Sequence, residues 1–197
     1  MPPIPGSVAL ILLAAGRSAR FGGHKLTASF RGRQLWEWAA IAAEEAGFAN
    51  RLIVVGPQSP PMSRPGWTAI LNDRAAEGIG LSIAAGVAAA KSAARVVIAL
   101  ADMPLVTAGH LRTLAIGQGT VFTEQEDGRA GCPAGFDSDI FPNLSRLDGD
   151  RGAGSLRLPG ATTIAPSDRA ILADVDTRGE LARLACKAKE NASAEAA

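Results

Sequence analysis

Residues 10–26 read LILLAAGRSARFGGHKL. An apolar run that opens at Ser7-Val8 closes at Ala14-Ala15-Gly16, and Arg17, Arg20, His24 and Lys25 follow at once with Gly22 and Gly23 among them. A short continuous run of leucine and β-branched residues is the pattern of a strand buried on both faces, as inside a parallel sheet. No acidic residue precedes Glu37, so these cations have no partner nearby in sequence. Glycine lets backbone amides approach and point at oxygens, and arginine and lysine add charge-assisted donors. The segment therefore reads as a buried strand feeding an anion-binding loop. A surface loop of solvated arginines is the alternative, and the position directly after a buried strand argues against it.

The loop is not a P-loop, which needs Ser or Thr after its lysine where Leu26 stands. Nor is it a dinucleotide fingerprint, since no glycine intervenes between Gly16 and Gly22. Outward from it, buried strands recur at 51–55 (RLIVV) and 95–100 (RVVIAL), with weaker ones at 120–123, 133–136 and 161–165. Helical composition fills 34–46, the second half of 77–91, 110–116 and 179–187, while 58–66 is a Pro/Ser-rich connector. Strands alternating with helices predict an α/β fold: one three-layer αβα domain, residues 1–187, around a mainly parallel sheet. Residues 188–197 are expected to form a disordered tail. Right-handed crossovers align the C-terminal strand ends along one edge, where ligands bind. The strand exits at Gly16, Gly56, Asp102 and Asp176 should gather there.

The chain of 197 residues suffices for a single core. A net charge of +1 excludes the broad basic surface of a general nucleic-acid binder. Two distant cysteines, Cys132 and Cys186, and two histidines, His24 and His110, offer no disulfide framework, structural zinc site or histidine cage. That cysteine usage points to a reducing, cytoplasmic setting. The N-terminal arginines follow the apolar run instead of preceding it, unlike a secretory signal, and no apolar run approaches the roughly 18 residues of a membrane span.

Asp102, at the tip of the 95–100 strand with Pro104 behind it, suits Mg²⁺, which takes one or two carboxylates plus substrate phosphates. Capping a helix that begins near Val106 is the competing role. Asp174 and Asp176 share one face of an extended segment, so both aim at the cleft or both at solvent, and Asp176 or Thr177 is equally suited to cap the last helix. In EGIGLS, 77–82, two glycines and a hydroxyl stand at a helix start. That is a second place for an anion or a base edge, or a turn with Ser82 as N-cap. Trp36 and Trp38 read as packing, His24 as a loop residue, His110 as helix surface and Cys186 as buried packing. Cys132 lies in a loop expected to face the cleft.

LLAAGRSARFGGHKL at 12–26 resembles the signature of nucleotidyltransferases that include the molybdenum cofactor transferases and the sugar-phosphate and alcohol-phosphate cytidylyltransferases. ALADMPLV at 99–106 resembles their metal-binding strand end. EGIGLSIAAGV (77–87), GRAGCPAGF (128–136), LDGDRGAGSL (147–156) and DVDTRGEL (174–181) follow in order. Together the set resembles the molybdenum cofactor cytidylyltransferase branch of the MobA-like NTP transferases. The resemblance implies a Rossmann-like fold of the nucleotide-diphospho-sugar transferase type, and transfer of CMP from CTP to a molybdopterin-type cofactor with release of pyrophosphate. It implies catalysis by Arg20, Lys25 and Asp102, and a nucleotide pocket from Leu13, Ala14, Ala15, Gly16, Arg17, Gly22, Glu77, Gly78 and Ser82. It further implies Mg²⁺, or Mn²⁺ in its place, on Asp102 and Asp176, and an acceptor loop at Gly131, Cys132 and Pro133. Ala-Ala-Gly at 14–16 goes with cytidine in this resemblance, where a Leu-Ala-Gly-Gly version goes with guanosine. The implied partners are the nucleotide, a pterin-type substrate and a molybdoenzyme or its chaperone, with no nucleic acid and no membrane. Two departures fall on the acceptor side: Cys132 stands where the branch usually has His, and Gly154 where it commonly has Arg. GTP as donor, a sugar or alcohol phosphate as acceptor, and a non-catalytic nucleotide-binding protein stay open as alternatives.

Overall fold

Strand β1 (Val8–Leu13) is buried at every residue because helices cover both faces of the sheet in which it is an interior strand. The computed structural model describes residues 3–194. After β1 come a small hairpin, β2 (Ser29–Phe30) and β3 (Arg33–Gln34), then α1 (Leu35–Ala46), β4 (Asn50–Val55) and β5 (Thr68–Leu71). The chain continues through α2 (Ile79–Ala89), β6 (Arg95–Leu100), α3 (Ala108–Ile116), β7 (Val121–Glu124) and β8 (Ala130–Asp137). It closes with α4 (Phe141–Leu144), β9 (Thr162–Ile164) and α5 (Arg178–Ala194). Seven strands form the main sheet in the order β5-β4-β1-β6-β8-β7-β9.

Strands β4, β1 and β6 are parallel and in step, with Leu13 opposite Val54 on one side and Leu100 on the other. Their exits at Ala14, Gly56 and Ala101 therefore lie along one edge. Strand β8 runs antiparallel to both neighbours, pairing Ala134 with Ile98 of β6. That reversal brings its N-terminal half, residues 130–133, to the same edge. The sheet is thus mainly parallel, as the sequence predicts, and the reversed strand carries the expected acceptor loop.

Period-two alternation divides the core. Leu10, Leu12, Val97 and Ala99 pack with α1, α3 and the first turns of α5, whereas Ala9, Ile11, Val96 and Ile98 pack with α2 and α4. This is the predicted three-layer arrangement. Helix α1 starts through reciprocal capping, with the Gln34 amide donating to Glu37 Oε2 at 2.9 Å, and stops at Gly47 in the left-handed conformation (φ 92°).

Several expectations are corrected. The Pro/Ser-rich connector is followed by β5, a short edge strand whose four residues carry little apolar periodicity. Helix α2 begins at Ile79, so Ser82 lies inside it and does not cap it. His110, expected on a helix surface, is buried, because α3 turns that face toward β7 and β8. Cys186, expected in the core, is exposed: among the described side chains of α5, Leu181, Leu184 and Ala185 pack against the core. Helix α5 runs to Ala194, and residues 195–197 of the expected tail lie outside the described residues.

Candidate active site

Beyond Gly16 the chain forms an irregular loop that reaches a single 3-10 turn at Lys25–Thr27. Ser18, with φ 52°, folds this loop back on itself: its carbonyl accepts from the Phe21 amide at 3.0 Å and its Oγ from the Lys25 amide at 3.3 Å. The fold-back delivers the Lys25 side chain to the cleft floor, where Nζ donates to Asp102 Oδ2 at 2.6 Å and Asp176 Oδ1 at 2.9 Å. Arg20 pairs with the other oxygen of Asp176 from the solvent side. Asp102 Oδ1 is buried and has no hydrogen-bond partner among the described residues. The ends of β1 and β6 and the start of α5 thus bring two cations and two carboxylates into one cluster.

The competing capping roles fall to other residues. Helix α3 is capped by Thr107, and at α5 Glu180 Oε2 accepts from the amides of Asp176 (2.9 Å) and Thr177 (2.8 Å) while Thr177 Oγ1 accepts from the Glu180 amide. Both aspartates are therefore free to meet cations. Burial opposes charge on Lys25, yet Asp102, joined by Asp176, holds its ammonium above the ordinary lysine value. The hydrogen bond from Lys25 outweighs burial and, with Arg20, holds Asp176 below the usual carboxylate range. Asp174 borders the cluster, and burial, then Asp102 and Asp176, push its carboxyl up.

These groups line a cleft of about 380 Å³ whose walls include Leu13, Ala14, Ala15, Gly16, Arg17, Gly78, Ser82 and Leu100. An adjoining hollow of about 640 Å³ shares Ala14 to Ser18 and extends over His24, Gly56 and Pro60, so the four expected strand exits do converge. Two expected nucleotide residues are absent from the cleft wall. Glu77 turns outward to pair with Arg74 at 2.6 Å, and Gly22 (φ 72°) only turns the loop toward His24. Gly78 has a different reason to be glycine. Its φ is 128°, and a Cβ there would lie 2.1 Å from the Gly149 carbonyl, against which the first turn of α2 presses. Next to that contact Asp150 lines the cleft, a residue that nothing in LDGDRGAGSL marks as a site residue. Gly78→Ala is expected to cost at least about 2 kcal/mol from strain plus overpacking, measured by urea unfolding.

On the β8 side of Asp102, two carbonyls of the expected acceptor loop are held from beneath. Gln125 Nε2 donates to Cys132 O at 3.1 Å, and Thr123 Oγ1 donates to Pro133 O at 2.6 Å. Since that uses the only hydroxyl proton of Thr123, the 2.7 Å contact from its Oγ1 to His110 Nε2 makes the imidazole the donor. Gly131, Cys132 and Pro133 do not line the 380 Å³ cleft. Removal from water, with Asp102 adding to it, pushes the Cys132 thiol up to about 12, so it is protonated and no nucleophile. The departure at Gly154 has a packing cause: a Cβ there would sit 2.5 Å from Ala130 O.

Burial lowers the His110 pKa from 6.5. The unfolded chain therefore takes up this proton first, and stability is lost as pH falls below about 6.5. Urea unfolding between pH 7.5 and 5 should show that loss, and His110→Gln should flatten it.

The sequence profile of the MobA-like NTP transferase domain matches residues 10–163. The chain belongs to that family. Among known proteins, the purine catabolism protein PucB of Bacillus subtilis (strain 168) is 29% identical over 188 residues, covering 86% of this chain and 92% of that one. Rv0371c of Mycobacterium tuberculosis H37Rv superposes with a TM-score of 0.76 at 27% identity, covering 90% of this chain and 97% of that one. A nucleotidyl transferase from Methanothermobacter, Mth528, has the same fold, with a TM-score of 0.77 at 19% identity over 91% and 96% of the two chains. Rv0371c has also been crystallised in complex with manganese.

The family is one of nucleotidyltransferases. The cluster in this chain has the parts such transfer requires: cations for a leaving pyrophosphate and hard carboxylate oxygens for a divalent metal. No group of three or more potential metal-binding side chains occurs among the described residues. No helix among them is long and apolar enough to cross a membrane.

Proposed function

We propose that this MobA-like domain transfers CMP from CTP to the phosphate of a molybdopterin-type cofactor and releases pyrophosphate. The observation that carries this reading is the Arg20, Lys25, Asp102 and Asp176 cluster in a cleft lined by Ala14, Ala15 and Gly16. The Ala-Ala-Gly exit, the cytidine version of the motif, supports CTP over GTP.

An acceptor phosphate oxygen attacks the α-phosphorus in line, the bond to the β-phosphate oxygen breaks, and pyrophosphate departs with its electron pair. The attacking oxygen is already ionised, so the chain need not supply a general base. Arg20 and Lys25 hold the β- and γ-phosphates and stabilise the charge that collects on the leaving group. Asp102 and Asp176 fit Mg²⁺ or Mn²⁺, as the buried, unpartnered Asp102 Oδ1 and the all-oxygen donor set favour. Held by these two carboxylates, a divalent ion would supply positive charge to offset the charge that develops on the phosphates. Gly131, Cys132 and Pro133 present the acceptor from the β8 side, held by Gln125 and Thr123. The manganese complex of Rv0371c supports a divalent site in the fold. The product passes to a molybdoenzyme or its chaperone in the cytoplasm.

A less anionic acceptor is the second reading. Gly154 admits no side chain, and Arg151, one of the two arginines three positions from it in sequence, is engaged by Asp148. Pyrophosphate release measured with each of the four nucleoside triphosphates, Mg²⁺, and molybdopterin-type, sugar-phosphate or alcohol-phosphate acceptors decides between them. Release only for CTP with the pterin supports the first reading. Release with another pair replaces it.

A further inference from the structure

Lys25 does not wait for phosphate in open solvent. Its ammonium lies between the two carboxylates suited to a metal, 2.6 Å from Asp102 and 2.9 Å from Asp176, with 9% of its side chain exposed. Arg20 adds a second cation on Asp176. Two positive and two negative groups therefore close on one another before any ligand arrives. A lone divalent cation entering here would have to evict a covered ammonium and leave it without an anion, a costly separation where water is scarce. A nucleoside triphosphate is different, because its oxygens can take over both Lys25 and Arg20 and so free the carboxylates.

We propose that Lys25 is a placeholder for the metal. It closes the Asp102–Asp176 pair to free divalent cations and opens it only when a triphosphate draws the ammonium away, so metal and nucleotide bind as one unit. The inference rests on reading Asp102 and Asp176 as metal ligands, and is independent of which triphosphate and which acceptor the enzyme uses. It adds to the phosphate-holding role of Lys25 a gate that keeps free cations out of the resting site. Such coupling is reciprocal: whatever factor nucleotide adds to metal affinity, metal adds to nucleotide affinity.

The test titrates Mn²⁺ alone into the nucleotide-free full chain and follows unbound Mn²⁺ by electron paramagnetic resonance. Wild type should bind weakly, and Lys25→Gln should bind at least about tenfold tighter. Arg20→Ala, at a side chain 75% exposed and so removable without disturbing the core, should bind about twofold to threefold tighter. Adding Asp102→Asn to Lys25→Gln should abolish the gain, assigning it to this site. CTP should raise the Mn²⁺ affinity of wild type far more than that of Lys25→Gln. Equal or weaker Mn²⁺ binding by both single variants would overturn the proposal, and Arg20→Ala alone decides it should Lys25→Gln fail to fold. Failure of the CTP or pterin assignment would leave the nucleotide-free titrations unchanged, so the two outcomes are separable.

Discussion

Asp102→Ala should lower pyrophosphate release by about a thousandfold while the domain stays folded. Asp102 stands at the end of a strand buried on both sides, so its backbone position is fixed by β6 and not by its side chain. Its Oδ2 accepts from Lys25, and its Oδ1 has no partner among the described residues. Removing the carboxylate therefore leaves Lys25 bonded to Asp176, and the stability change should stay within about 1 kcal/mol by urea unfolding. A loss of activity without a loss of stability is the signature of a group kept for chemistry. Near-wild-type turnover in Asp102→Ala would remove the metal ligand from the scheme.

Lys25→Ala should have a rate effect of similar size, about a hundredfold to a thousandfold, since the leaving pyrophosphate loses its most covered cation. Its stability effect should differ. Without the ammonium, Asp102 and Asp176 face each other with only Arg20 in compensation. Partly exposed as they are, at 20% and 30%, the loss should be about 1–3 kcal/mol, below that of a fully buried pair. If Lys25 is the placeholder, Mn²⁺ without nucleotide should restore part of this stability in Lys25→Ala and add little to wild type. A variant that keeps its turnover, or is as stable as wild type, would contradict the geometry at the cleft floor.

Much of this was legible in the sequence because it depends on patterns that are local. The double-sided burial of β1 and β6 shows as continuous apolar runs, and the loop after β1 shows as glycines and cations without acids. Parallel register then forces their exits to one edge, so placing Asp102 near Lys25 followed from topology. What stayed hidden depends on contacts between distant segments. The Lys25–Asp176 bond joins positions 151 apart, and no spacing rule anticipates that the expected phosphate ligand and the expected metal ligands would satisfy each other. Asp150 enters the cleft only because Gly78 lets α2 press against Gly149. His110 is buried because α3 packs a face that its short sequence marks only weakly, and it joins a hydrogen-bond chain through Thr123 to Pro133. Glu77, which the resemblance assigns to the nucleotide pocket, pairs here with Arg74, three positions earlier, a local partner its motif does not announce.

The most direct measurement is label transfer. The protein is incubated with CTP carrying a labelled α-phosphate, Mg²⁺ and a molybdopterin-type cofactor, and the product is identified by mass and label. One labelled CMP joined to the pterin phosphate, with one pyrophosphate released per transfer and none without acceptor, is the predicted result. Label that stays in CTP or appears only as free CMP would contradict the account.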